Sequence, residues 1–144
     1  MKEMNEAMRA AIFNVFERMY YVFLEPFHDE CSEYDVGSSI KFDGALHGEL
    51  MILVSEELAK TMVQNLLGVE SEEVTEQDIE DCVKEAANMI CGDFLSKLDQ
   101  TKVFDLSIPV FIRRPRGFRE GNKACSVSFD AESGVFGAVL SLSE

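Results

Sequence analysis

Positive charge is scarce in this chain: 13 lysines and arginines stand against 27 aspartates and glutamates, a formal net charge of −14. Nucleic acids and anionic membrane surfaces bind proteins of net positive surface, so a general binder of either kind is excluded and a protein partner is favoured. No apolar stretch approaches the roughly 20 residues that a membrane-spanning helix needs. The opening Met1-Lys2-Glu3-Met4-Asn5-Glu6 carries acid where a secretory leader carries a basic patch and an apolar run. The four cysteines, Cys31, Cys82, Cys91 and Cys125, form no CxxC pair, which argues against a zinc site and a disulfide framework. Reduced thiols and the missing leader point to the cytoplasm. Neither a glycine-rich phosphate loop nor a nucleophile motif is present. His28 and His47 have no carboxylate or cysteine at ligand spacing, so surface or strand roles are expected of them rather than metal binding or general-base work.

What is present suffices for one globular domain spanning residues 1–144, since 144 residues with 47% hydrophobic content can bury a continuous core. Residues 4–23 keep helical spacing through Met8, Ile12, Val15, Phe16, Met19, Tyr20 and Phe23, and Pro26 marks a stop. This aromatic and methionine stripe reads as core rather than as a cofactor box. Residues 27–37 read as an irregular connection, and residues 38–43 and 46–54 as two strands of a hairpin. Ser55 is expected to cap a helix over 56–67 that ends at Gly68. The acidic run 70–73 reads as a solvated loop, followed by Thr75 and Asp78 in a capping-box arrangement. Residues 104–113, 124–130 and 135–142 alternate as strands. The expected class is therefore α+β, with long helices packed on one face of a largely antiparallel sheet. The order also suggests two degenerate halves, about 1–69 and 70–144. Arg9-Ala10-Ala11-Ile12 stands in the first helix as Glu85-Ala86-Ala87-Asn88 does in the central one, and residues 44–55 echo 134–143. The arginine cluster at 113, 114, 116 and 119 reads as a solvated loop that could also attract an acidic partner.

The central helix is the most informative segment. Ile79, Val83, Ala86, Ala87, Ile90, Cys91, Phe94 and Leu95 recur at three- and four-residue steps, the period of a helix lying on a core. At about 100° per residue, Asp81, Glu85, Asn88 and Gly92 fall along one line on the other side. Asparagine is a poor helix former because its side chain competes for nearby backbone groups, so its mid-helix placement invites a reason. A carboxylate and an amide on a rigid rod, beside a glycine that clears space, suit docking onto another molecule's active site. They do not make a self-contained catalytic centre. Taken alone, such a line is most often a wet helix face.

The spacing Asp81-x3-Glu85-x2-Asn88, followed by a strand containing Pro109, resembles the signature of the CheC/CheX/FliY phosphatases of bacterial chemotaxis, and a single intact copy at this length is similar to the CheX members in particular. The resemblance spans the chain in element order, with the specific residues on the central helix. It implies a pseudo-duplicated CheC/CheX-like fold and hydrolysis of the phosphoaspartate of a CheY-type response regulator. The Mg2+ would be held by the regulator, with no cofactor or metal of the chain's own. By the same resemblance Asn88 orients the attacking water, Glu85 pairs with the regulator's lysine, and Asp81, Gly92 and Pro109 serve partner binding. A homodimer formed by joined sheets is implied as well. The rival expectation is a non-catalytic adaptor or flagellar-switch-like module that binds a regulator without hydrolysing it.

Overall fold

Alternating side chains decide which way each strand faces. In a computed structural model, which describes residues 2–26, 34–98, 103–115 and 123–143, Val36, Ile40 and Phe42 of β2 (Val36–Asp43) point into the main core. So do Leu50, Ile52 and Val54 of β3 (His47–Val54) and Phe136, Ala138 and Leu140 of β7 (Gly134–Ser143). The period-two pattern places all of these on one side of the pleat. The other side carries a small cluster of Tyr34, Leu53 and Val139. It also carries the polar pair Ser39 Oγ to Glu49 Oε2, at 2.7 Å.

The sheet runs β1 (Glu25–Pro26), β6 (Lys123–Ala131), β7, β3, β2 and β4 (Asp105–Leu106), with β5 (Val110–Arg113) also on β2, and every pairing is antiparallel. Two hairpins, β2–β3 and β6–β7, meet at the central β3–β7 pair, where Leu50 faces Leu140. Each outer strand adds to a hairpin from the other part of the chain: β1 pairs with β6, and β4 and β5 pair with β2. The expected single strand over 104–113 is thus two pieces. Pro109 has no N–H to give the ladder, and the gap is bridged by Ser107, whose N–H donates to Lys41 O and whose Oγ accepts from Lys41 N, both at 2.9 Å.

Among the described residues, three helices lie over the core face. α1 (Lys2–Val15) buries Met8, Ala11, Ile12 and Val15, each large side chain contributing about 1.5–3 kcal/mol through removal from water. It passes into a π-helical turn, Phe16–Tyr20, and stops there, earlier than Pro26 had suggested. Two bonds explain the stop. Tyr21 takes a left-handed conformation (φ 53°) with its N–H on Phe16 O, and Asn65 Nδ2 donates to Tyr20 O at 2.7 Å. Phe23 is consequently exposed rather than part of the buried stripe.

α2 (Glu56–Leu67) ends at Gly68, whose φ of 69° is the left-handed value that favours glycine. Its start departs from expectation. Ser55 is the cap residue but its hydroxyl accepts from Val135 N at 3.1 Å, and Asp35 Oδ2 takes the Glu56 N–H instead at 2.7 Å. The segment Ser71–Glu73 forms one exposed 3-10 turn. α3 (Glu76–Leu98) then begins with the expected reciprocal cap: Asp78 N donates to Thr75 Oγ1 at 3.1 Å and Thr75 N donates to Asp78 Oδ2 at 3.0 Å.

Candidate functional site

α3 is the longest helix described, 23 residues, and nine of them are buried: Ile79, Cys82, Val83, Ala86, Ala87, Ile90, Cys91, Phe94 and Leu95. Packing against α1 on one flank and against β2 and β3 below fixes its rotation. Asp81, Glu85, Asn88 and Gly92 therefore have to come up on the outward side. Asp81 and Glu85 are exposed, Asn88 and Gly92 half-buried. Glu85 and Asn88, three residues apart, are surface neighbours with Cβ atoms about 5–6 Å apart.

Their hydrogen bonding separates them by role. Asp81 Oδ1 accepts from Gln77 Nε2 at 2.8 Å, one turn back, so its carboxylate is already engaged. Among the described residues, the side chains of Glu85 and Asn88 make no hydrogen bond. A half-buried carboxamide with donor and acceptor both unused is an available contact for water or a partner. A Cβ added at Gly92 would meet nothing within 4 Å, so the space beyond Asn88 along the line is open. Pro109 is half-buried in the break between β4 and β5. It sits at the sheet edge and not on the helical line. That edge is tied to α3 by the exposed ion pair of Arg113 Nη2 with Glu76 Oε2, at 3.7 Å.

Other sequence readings resolve in detail. His47, expected to lack a carboxylate at ligand spacing, has its Nδ1 against Asp43 Oδ1 across the β2–β3 turn, both exposed. The strand pairing brings the two together where their spacing in sequence had not. His28, Cys31 and the arginines at 116 and 119 lie outside the described residues. Arg113 also stacks over the Phe111 ring at 5.4 Å. Cys82, Cys91 and Cys125 are free and buried, and burial pushes Cys82 and Cys91 up to about 12 and Cys125 up to about 11. At neutral pH they are inert thiols. No group of three metal-ligating side chains occurs among the described residues. No described helix is long and apolar enough to cross a membrane.

Sequence reading missed two residues beside the line. Asn14 Nδ2 of α1 donates to Asp93 Oδ2 of α3 at 3.4 Å, and Tyr20, read only as core, ends with its hydroxyl beside Cys82 of α3. The available signal was a tyrosine where the stripe otherwise used phenylalanine and methionine, since a buried tyrosine ordinarily seeks a partner for its hydroxyl.

Helices on one face of an open antiparallel sheet, with a polar line on the outer surface of the longest helix, define an α+β domain of the CheC/CheX type. The chain belongs to the CheX family: a family profile described as "Chemotaxis phosphatase CheX" matches residues 36–130. Solved structures agree in fold. CheX from Vibrio vulnificus is 25% identical with a TM-score of 0.83, over 97% of this chain and 96% of that one. A CheX from Desulfovibrio desulfuricans is 20% identical with a TM-score of 0.75, over 98% and 99%. The CheX chain of a CheX–CheY–BeF3–Mg2+ complex from Borrelia burgdorferi is 18% identical with a TM-score of 0.74, over 96% and 97%. No curated protein sequence matches the chain significantly.

Proposed function

We propose that this chain dephosphorylates the phosphoaspartate of a CheY-type response regulator in the cytoplasm. Membership of a family named for chemotaxis phosphatases supports the reaction. The relative captured with CheY, BeF3 and Mg2+ supports both the partner and a metal that belongs to it. Hydrolysis of an acyl phosphate needs an in-line water and charge neutralisation, with little covalent work from the protein. The regulator supplies cation and lysine; this chain supplies aim. Asn88 accepts from and donates to the attacking water and holds it in line. Glu85 takes the regulator's lysine, which fixes the docking register. Asp81, Gly92 and Pro109 contribute docking surface only.

One observation carries this reading: the carboxamide of Asn88 stands partly exposed, without a hydrogen-bond partner among the described residues, on a helix that nine buried side chains hold in place. A phosphate-release assay with a phosphorylated CheY-type regulator tests it. The chain should accelerate release, and Asn88→Ala should abolish the acceleration while the variant keeps its far-UV circular dichroism. Unchanged acceleration by Asn88→Ala removes Asn88 from the mechanism. Binding without acceleration by the parent chain favours the adaptor reading.

We also infer a homodimer joined along the β4–β5 edge. Val103, Ile108 and Val110 are 85%, 86% and 60% exposed there, an apolar edge that another strand would cover. Light scattering should give twice the chain mass, and Val110→Lys should give one chain mass.

A further inference from the structure

The chain leaves α1 with two aromatic side chains on the surface. Tyr21 is 74% exposed and Phe23 79%, while Tyr20 and Leu24 on either side of them are buried. Single exposed apolar residues are ordinary, but contiguous ones mark contact sites. These two stand with Val22 on a ridge between two cavities, one of about 810 Å³ and one of about 490 Å³, and all three residues line both. The ridge is fixed from beneath: Tyr21 N–H donates to Phe16 O, and Asn65 Nδ2 donates to the Tyr20 carbonyl at 2.7 Å. Asn65 also lines the larger cavity, and so do three acids, Glu25, Asp130 and Glu132. The β1–β6 register puts Glu25 directly opposite Asp130, and like charges so placed repel one another. All three acids are exposed, and no cation among the described residues pairs with any of them.

We propose that this groove is a docking site for a cationic segment of a second protein, one that carries arginine or lysine beside an apolar side chain. The apolar residue covers the Tyr21–Phe23 ridge, and the cation lies over an aromatic face with the acids in reach. Charge complementarity selects this occupant. Another copy of the chain also carries a net charge of −14, so it brings acid toward acid. An anionic membrane surface is repelled for the same reason. The groove also stays clear of the joint inferred for the homodimer, because β1 ends the sheet on one side while β4 and β5 pair with β2 on the other. A ridge already held by its backbone bonds needs little further ordering when the segment arrives. The site is independent of the phosphatase reading.

The test is fluorescence anisotropy of a short fluorescein-labelled peptide of alternating arginine and leucine, titrated with the full chain. The parent should bind it, and peptides with glutamate for arginine or serine for leucine should bind at least about ten-fold more weakly. Phe23→Ser and Asp130→Lys should each weaken binding about ten-fold. Both side chains are exposed, so neither change should lower the thermal midpoint. Glu72→Lys makes the same charge change on the exposed 3-10 turn, outside the groove, and should alter binding less than about two-fold. Equal losses for Asp130→Lys and Glu72→Lys overturn the inference, since they show attraction to overall negative charge alone. No binding by the parent overturns it, as does binding that survives Phe23→Ser or the serine peptide unchanged. Self-association, or adsorption to phosphatidylcholine vesicles, that Phe23→Ser abolishes while no peptide binds gives the ridge to a second copy or a lipid surface and overturns it likewise. None of these outcomes touches phosphate release from a regulator, so failure here leaves the phosphatase reading standing.

Discussion

The two long helices share one layer and one sheet, yet they are built for different ends. α1 is 14 residues and gives way to a π-helical turn, with Ile12 wholly buried; α3 runs 23 residues without interruption and keeps Asn88 partly exposed. The alignment that places Ile12 opposite Asn88 therefore sets a core position against a surface one, although Arg9 and Glu85 are both exposed. A polar residue in mid-helix is tolerable on α3 because the rest of that helix is anchored on both flanks. On α1 the equivalent position is part of the anchor. The difference teaches that the outward line we propose for docking needs its supporting core elsewhere in the same helix, and that a helix with the position turned inward, as α1 has at Ile12, cannot present one.

Swapping the two positions is the most severe way to break the comparison. Ile12→Asn should cost about 3–5 kcal/mol, since it removes a buried side chain and leaves an amide without partners. Urea unfolding measures it, and a change under about 1 kcal/mol would mean that α1 tolerates a polar line after all. At the other position, Asn88→Ala should leave the unfolding free energy within about 0.5 kcal/mol of the parent. Phosphate release should fall to the regulator's unassisted rate, a loss of roughly a hundred-fold.

Much of this division was legible beforehand. The period of three and four in residues 78–95 placed the core face and the outward line of α3, and the Thr75–Asp78 pair located its start, with both cap bonds observed. Two-residue alternation found the β2–β3 hairpin and both strands of the β6–β7 one. What escaped was decided by distant partners. The end of α1 depends on Asn65, 45 positions away, and the cap of α2 on Asp35, while Ser55 is taken by β7. β1 is two residues long and exists through its pairing with β6. The Tyr20 hydroxyl, buried without a hydrogen-bond partner, is likewise a property of the packed seam and not of the stripe that predicted its burial.

That seam can be sharpened by pH. Burial raises Cys82 and Cys91 from an ordinary 9.0 to about 12, and Tyr20 rises too. Raised folded values mean that, above pH 9, the unfolded chain binds fewer protons than the folded one, so stability is full below about 9 and falls as pH climbs toward 12. Thermal midpoints should be flat from neutral pH to about 9 and then decline. A Cys82→Ala, Cys91→Ala variant should decline less steeply. An equal slope would place the alkaline sensitivity away from Cys82 and Cys91. A smaller loss is expected from Thr75→Ala, about 1 kcal/mol for a lost cap, with docking affinity affected only as far as the first turn of α3 frays.

Gly92 gives the smallest effect and the cleanest separation of fold from docking. An alanine there meets nothing within 4 Å, and glycine is the poorer helix former by about 0.5–1 kcal/mol, so Gly92→Ala should stabilise the protein by roughly that amount. α1 offers no such gain at Ala11, which is already alanine and fully buried. If the open space along the line is a landing site, the more stable variant should bind a BeF3-loaded regulator more weakly, and Gly92→Phe more weakly still, without loss of folding. A Gly92→Phe variant that binds and hydrolyses like the parent would show that the regulator does not approach α3 at this point, and the docking line would end at Asn88.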